Sequence, residues 1–211
     1  MKVRDAAALP LGFLYLVFFV SGFAALVYQV VWQRALFAIY GVNIESVTIV
    51  VSAFMLGLGL GSFAGGKLSA RPGVHLLRWF GGIEIAIGAL GALSLAVFRG
   101  VGELTAGVSG LTVFALTFAL LVVPTALMGA TLPLLVAHAV RISGNVGKSV
   151  GALYFVNTSG SALAAFATAA WLLGHFGQQG TVWTAATLNL LIGGVILWRD
   201  ARSAQHVAAR T

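Results

Sequence analysis

Six long apolar segments dominate the chain, separated by short stretches rich in glycine, basic and turn-forming residues. The segments lie at residues 10–32, 46–68, 76–98, 111–140, 150–173 and 181–198. Each approaches or exceeds the ~20 residues that an α-helix needs to cross a bilayer. The fourth contains Pro124 and Pro133, so we expect this helix to be kinked or broken. The pattern predicts an all-α fold, with residues 1–211 forming one transmembrane domain of six helices.

The composition agrees with a lipid environment. Hydrophobic residues make up 60% of the 211 residues and charged residues 8%, with a mean hydropathy of +1.02. A soluble domain carries about 25% charged residues. Since the chain has no cysteine and its four histidines show no metal-ligand spacing, we predict neither a metal site nor a cofactor.

The basic residues lie mostly at the ends of the apolar segments, which predicts an orientation. With the N-terminus inside, ten of the twelve Lys and Arg residues fall on the cytoplasmic side, and Arg34 and Arg99 are the exceptions. Both termini are therefore expected to be cytoplasmic, with Lys67 and Arg71 in one cytoplasmic loop. The net charge of +7 is then explained by topology and contact with anionic lipid, and no nucleic-acid partner is predicted. Five tryptophans lie near predicted helix ends, as an aromatic belt would place them: Trp32, Trp79, Trp171, Trp183 and Trp198.

Small residues recur at every fourth position of the second segment, at Gly57, Gly61 and Gly65. Residues at this spacing share one helix face and let membrane helices pack closely. The alternative, a nucleotide-binding loop, is disfavoured because no strand pattern precedes these glycines. We predict a packing role for all three, and for Gly88 in the third segment.

Glu84 is the most informative polar residue, because it lies near the middle of the third segment. An ionised carboxylate there costs about 2.5–3.5 kcal/mol or more. Gly88 and Gly91 share its face, so we expect the side chain to point into the bundle. The interpretations left open are a proton or cation site, a structural hydrogen bond to another helix, and a position close enough to the interface to be hydrated.

Polar residues also interrupt the first and fifth segments. Gln29 lies beside Tyr28 in the first, and Asn157 begins a stripe of small residues in the fifth. Helix packing alone explains such stripes. The alternative is a polar cavity lined by Gln29, Glu84 and Asn157, with Tyr28 beside it as a further substrate-binding candidate. No catalytic residues are predicted, because no second acid lies in a helix core.

Four stretches resemble the N-terminal membrane region of bacterial membrane-bound spermidine synthase-like proteins. They lie at residues 21–34, 53–68, 124–133 and 153–160. In that family a soluble aminopropyltransferase-like domain follows, with a glycine-rich nucleotide loop and catalytic aspartates. This sequence stops thirteen residues after Trp198, so we expect the catalytic half to be absent.

Residues 66–73 are similar to the loop between the second and third helices of major facilitator transporters. Ala70 stands where that loop usually carries an acidic residue, so its charge-relay role is not expected. Six helices with both ends inside resemble half of such a transporter.

Two functional hypotheses follow from these resemblances. The first is a bacterial inner-membrane protein that serves as a non-catalytic anchor, subunit or small-molecule passage for a soluble aminopropyltransferase-like partner or a larger membrane complex. The alternative is a homodimeric, half-sized transporter of polyamines or other cations that uses Glu84. An enzyme acting within the membrane has no support in the residue pattern.

Overall fold

The computed structural model describes residues 9–40, 43–105 and 110–208, and nearly all of them are helical. The helices are α1 (Leu11–Tyr40), α2 (Asn43–Ser69), α3 (Leu76–Leu104), α4 (Gly110–Ser143), α5 (Val146–Ala167) and α6 (Leu173–Ala208). A π-helical turn, Thr168–Leu172, joins the last two. No strand occurs within the described ranges, so the predicted all-α class is confirmed.

Five helical runs are long and apolar enough to cross a membrane, one fewer than the six predicted. The difference arises at the C-terminal end, where the predicted fifth and sixth helices share one run, Val146–Ser203. The backbone remains helical through the π-helical turn instead of forming a loop. Within α6, however, Gly177 leaves the helical region with φ 61° and ψ −172°. Glycine adopts this conformation readily because it has no Cβ.

Contacts of α1 fix the direction of two other helices. Ser21 of α1 hydrogen-bonds with Glu84 of α3, and Trp32 of α1 with Ser94 of α3. Because the partners follow in the same order along the two helices, α1 and α3 run parallel. The same ordering relates α1 to α5, whose polar side chains bond successive α1 carbonyls, so α5 is also parallel to α1.

The part of α6 that follows Gly177 runs in the opposite direction. Its Gln179 accepts a hydrogen bond from Arg99 near the end of α3, while Asp200 pairs with Arg78 near the start of α3. The chain therefore reverses its direction between α5, which is parallel to α1 and α3, and the part of α6 after Gly177, which is antiparallel to them. This reversal places α6 against both α1 and α3.

Three of the four predicted packing glycines, Gly57, Gly61 and Gly65, lie where α2 meets α4. A Cβ on Gly57 would overlap Thr125, and one on Gly61 would overlap the backbone of Ala126. A Cβ on Gly65 would lie 2.7 Å from the carbonyl oxygen of Ala130. The backbone of α2 therefore lies directly against side-chain and backbone atoms of α4, and the two helices run parallel. Small residues permit such close contact between helices in lipid.

The prolines do not break α4, which is continuous from Gly110 to Ser143. Pro133 has no N–H, so the carbonyl of Gly129 lacks its usual intrahelical donor. The Ser62 hydroxyl of α2 donates to that carbonyl at 3.1 Å. A neighbouring helix thus supplies the donor that Pro133 leaves missing, so α4 continues past this proline without a break. A kink in α4 stays a prediction.

Charge is distributed unevenly between the two ends of the bundle. One end carries seven of the nine basic residues with described side chains: Lys67, Arg71, Arg78, Arg141, Lys148, Arg199 and Arg202. Arg34 and Arg99 lie at the other end, and Arg34 belongs to α1. We refer to these as the basic end and the opposite end.

Four of the five tryptophans that were predicted to form an aromatic belt are about half exposed, and their place at a membrane interface stays a prediction. Trp32 is an exception, because only 1% of it is exposed. Its indole N–H donates to Ser94 at 2.8 Å, and its ring packs on Phe54 and Phe98. The belt prediction is therefore wrong for Trp32, since α1 continues to Tyr40 and carries this residue into the core.

Replacing Gly61 by Val should lower the free energy of unfolding by about 1–3 kcal/mol, because the new side chain forces α2 away from α4. Gly59→Val is the matched control, since a Cβ on Gly59 meets nothing within 4 Å. Reversible unfolding in mixed micelles of mild and denaturing detergent measures both variants. Equal effects at the two positions would refute the α2–α4 packing.

Candidate functional site

Glu84 lies where α1, α3 and α6 meet. Small residues on the same face of α3 make this meeting possible: Gly81 and Gly88 lie against α6, and Gly91 lies against Tyr28 of α1. A Cβ on Gly88 would be only 3.0 Å from the carbonyl oxygen of Ala186. The helices close around the carboxyl group, and Glu84 is 0% exposed.

Both carboxyl oxygens of Glu84 accept a hydrogen bond. Ser21 Oγ of α1 donates to Oε1 at 2.6 Å, and Asn189 Nδ2 of α6 donates to Oε2 at 2.6 Å. Both donors are themselves buried. One side chain therefore connects three helices in a region where an unpaired polar group would be costly. Of the interpretations left open by the sequence, this geometry matches a structural hydrogen bond.

Asn189 was not identified from the sequence. It is an amide in the middle of the sixth apolar segment, flanked by Leu188 and Leu190. Its isolation among apolar residues is the signal that could have identified it, because polar side chains within membrane helices usually face another helix. Its Oδ1 atom is buried and has no hydrogen-bond partner among the described residues.

Tyr28 lies about two turns along α1 from Ser21. Its ring stacks on Trp32, with centroids 5.2 Å apart, and its edge fills the space left by Gly91. The residue is 0% exposed, and its hydroxyl has no hydrogen-bond partner in the described part of the chain. Tyr28 is therefore part of the aromatic core that joins α1 to α3.

Asn157 lies in a separate polar contact. It donates from Nδ2 to the carbonyl of Phe18 at 3.1 Å, and Ser161 donates to the carbonyl of Gly22 at 3.0 Å. Both bonds join α5 to α1. Ser21 and Gly22 are adjacent and point about 100° apart on α1, so this contact lies on a different side of α1 from the contact with Glu84.

Gln29 follows Gly22 by seven residues, about two turns, and thus lies on the α5-facing side of α1. It is half-buried. The hydrogen bonds of the described residues do not link Gln29 or Asn157 to Glu84. A common substrate site formed by Glu84, Gln29, Asn157 and Tyr28 stays a prediction.

The loop between α2 and α3 carries the predicted basic residues. Lys67 lies in the last turn of α2, with its ammonium group 4.1 Å from the centre of the Phe63 ring. Arg71 is exposed in the turn that follows, where Gly73 has a φ of 77°. Both side chains are accessible at the basic end.

A cavity of about 580 Å³ lies at the opposite end, between the ends of α1 and α3 and the first part of α6. Arg99, Glu103 and Gln179 line it together with apolar side chains. Glu84 is not among the lining residues. Within the described ranges, no group of three or more His, Asp or Glu residues is placed to hold a metal ion.

Comparison with known proteins finds a distant relative. The chain is 24% identical over 169 residues to a polyamine aminopropyltransferase from Oceanobacillus iheyensis. The matched region covers 80% of this chain but only 31% of that relative's length. No protein-family model and no solved structure matches the chain.

Glu84→Ala should lower the free energy of unfolding by about 2–4 kcal/mol, since it leaves two buried polar groups unpaired at about 1–3 kcal/mol each. Glu84→Gln should cost less, because its carbonyl still accepts from one donor and its amide N–H can pair with Asn189 Oδ1 after that side chain flips. Glu103→Gln, at an exposed carboxylate, serves as control. Unfolding of the three variants in mixed micelles checks the order, and equal stabilities would refute the role of Glu84.

Proposed function

We propose that this chain is a membrane domain that serves polyamine aminopropyl transfer as a non-catalytic platform, either an anchor or a subunit for a soluble aminopropyltransferase-like enzyme. The observation that carries the proposal is the closed state of Glu84. The carboxyl group is fully buried and both of its oxygens are occupied by side chains of α1 and α6. A carboxyl group held in this way favours a fixed scaffold over a route for a cation.

The link to polyamine chemistry rests on the distant relative. Its match with this chain lies within less than a third of its length and covers most of the helical bundle. In this chain the matched region is apolar and helical, and the relative is the longer protein. The same reasoning supports the predicted resemblance to membrane-bound spermidine synthase-like proteins.

We propose six membrane crossings for the domain. The run Val146–Ser203 has 58 residues, whereas a bilayer core of ~30 Å needs ~20. Since α5 runs parallel to α1 and the second part of α6 runs antiparallel to α3, two crossings within this run fit the directions of the helices. The non-helical Gly177 is the point at which the chain would return.

The proposed location is the bacterial inner membrane, with the basic end in the cytoplasm. Basic residues are enriched in cytoplasmic loops, and seven of the nine described ones lie at this end. α1 begins and α6 ends there, so both termini would be cytoplasmic. Lys67 and Arg71 would then face a soluble partner.

The second candidate is the homodimeric half-sized transporter of polyamines or other cations. The observation in its favour is a buried acidic group on α3 that accepts hydrogen bonds from two other helices, α1 and α6. Carboxylates at such depth are characteristic of ion and proton pathways. This function requires a second arrangement of α1, α3 and α6 in which Glu84 becomes accessible.

Two measurements separate the candidates. In proteoliposomes, the platform proposal predicts polyamine flux no greater than in empty vesicles, with Glu84→Gln indistinguishable from the unchanged protein. When the tagged chain is purified in mild detergent from the cells that express it, a partner with aminopropyltransferase activity should co-purify. This activity is assayed with a polyamine acceptor. Lys67→Ala/Arg71→Ala should release that activity, because it alters the exposed basic end that a cytoplasmic partner would contact.

Arg34→Ala is the matched control, since Arg34 is exposed at the opposite end. Its captured activity should equal that of the unchanged chain. Polyamine flux that Glu84→Gln abolishes would contradict the platform and support the transporter. Absence of captured activity, together with absence of flux, would contradict both functions.

A further inference from the structure

We propose that the cavity at the opposite end of the bundle binds a zwitterion, a ligand that carries an ammonium group and an anionic group on one molecule. The cavity has a volume of about 580 Å³, within the ~300–1,000 Å³ typical of small-molecule sites. The proposal is independent of the platform function, because it concerns neither Glu84 nor the basic end.

The first argument is a pair of opposite charges that do not neutralise each other. Arg99 and Glu103 are four residues apart on α3, a spacing that favours an ion pair, and both line the cavity. Arg99 instead donates from Nε to the Leu95 carbonyl at 3.3 Å, and from Nη2 to Gln179 Oε1 at 3.5 Å. Glu103 has no ion-pair partner in the part of the chain that the structure describes.

The second argument is the placement of an additional donor. Gln179 follows the non-helical Gly177 by two residues, so the break in α6 brings its amide to the rim of the cavity. Its Oε1 is occupied by Arg99, which leaves its NH₂ group as a donor. Arg99 and Gln179 together thus offer several N–H groups to a carboxylate or phosphate, while Glu103 offers acceptors to an ammonium group.

The third argument is the apolar wall. Apolar side chains of two helices contribute to the lining of the cavity: Ala35 and Ala38 of α1, and Leu95 and Phe98 of α3. Arg99 and Glu103 are exposed at the mouth of the cavity, so the apolar wall adds contact area for the uncharged part of a ligand. The small alanine side chains leave room for the hydrocarbon part of the ligand.

These features disfavour ligands of a single charge sign. A polycation placed against Glu103 would also lie close to Arg99, and an anion placed against Arg99 would lie close to Glu103. A zwitterion satisfies both side chains at once. The same chemistry occurs in a soluble molecule such as phosphoethanolamine and in the headgroup of phosphatidylethanolamine.

Titration calorimetry on the purified full chain in mild detergent tests the proposal with four probes. Two are zwitterionic, phosphoethanolamine and dihexanoyl phosphatidylethanolamine. Two carry a single sign of charge, dihexanoyl phosphatidylglycerol and putrescine. We expect saturable binding of at least one zwitterion, and binding of the single-sign probes about tenfold weaker or weaker, the loss expected from one charged hydrogen bond.

The variants identify the site. Arg99→Gln and Glu103→Gln should each weaken zwitterion binding about tenfold. Arg99→Glu and Glu103→Arg should each weaken it further, and the double exchange Arg99→Glu/Glu103→Arg should recover part of the affinity because both charges are present again. Arg34→Gln, a cation at the same end that does not line the cavity, should leave binding unchanged. Thermal unfolding confirms that each variant is folded.

Binding of phosphoethanolamine assigns the site to a soluble zwitterion, and binding that needs the acyl chains assigns it to the lipid headgroup. Equal affinity for the single-sign probes, no binding of either zwitterion, or unchanged affinity in Arg99→Gln and Glu103→Gln would overturn the proposal. None of these results would alter the flux or partner measurements, so the two proposals fail separately.

Discussion

The hydrogen bonds of the Glu84 carboxyl group join three helices that lipid alone would not hold together. Helices in a bilayer gain little by hiding apolar side chains from one another, because lipid tails are equally apolar. Their association depends on close packing and on polar groups that must find partners inside the protein. Glu84 receives one hydrogen bond from α1 and one from α6, and so fixes both helices against α3. The glycines around it allow the approach that those bonds require.

The same physical requirement explains the contact between α2 and α4. Gly57, Gly61 and Gly65 allow the two helices to approach closely. Ser62, on the same stretch of α2, supplies a donor to the carbonyl that Pro133 leaves unpaired. A proline that would interrupt an isolated helix is accommodated because a neighbouring helix is close enough to compensate. Packing and hydrogen bonding therefore support each other at this contact.

The sequence predicts the features that depend on local pattern. Apolar length predicts the helices of the first four segments, and the position of Glu84 relative to Gly88 and Gly91 correctly indicates that its side chain faces the bundle. The sequence cannot predict that α5 continues into α6, because the spacing of Gly174, Gly177 and Gly180 resembles that of an ordinary loop. Only the structure locates the non-helical residue at Gly177.

The polar residues show where sequence reasoning reaches its limit. Asn157 and Glu84 are both polar residues within apolar helices, yet they contact sides of α1 that are about 100° apart. Which side a residue faces depends on the arrangement of whole helices, and the spacing within one helix does not contain that information. Asn189 was missed for the same reason, since its importance comes from a carboxyl group more than a hundred residues earlier.

A double-mutant cycle on Glu84 and Asn189 tests most directly whether this contact holds the bundle together. The free energy of unfolding in mixed micelles is measured for the unchanged chain, Glu84→Ala, Asn189→Ala and the double variant. A contact between α3 and α6 through these two side chains predicts a coupling energy of about 1 kcal/mol or more, so the double variant loses less stability than the sum of the single variants. Additive losses, with a coupling energy near zero, would contradict the account.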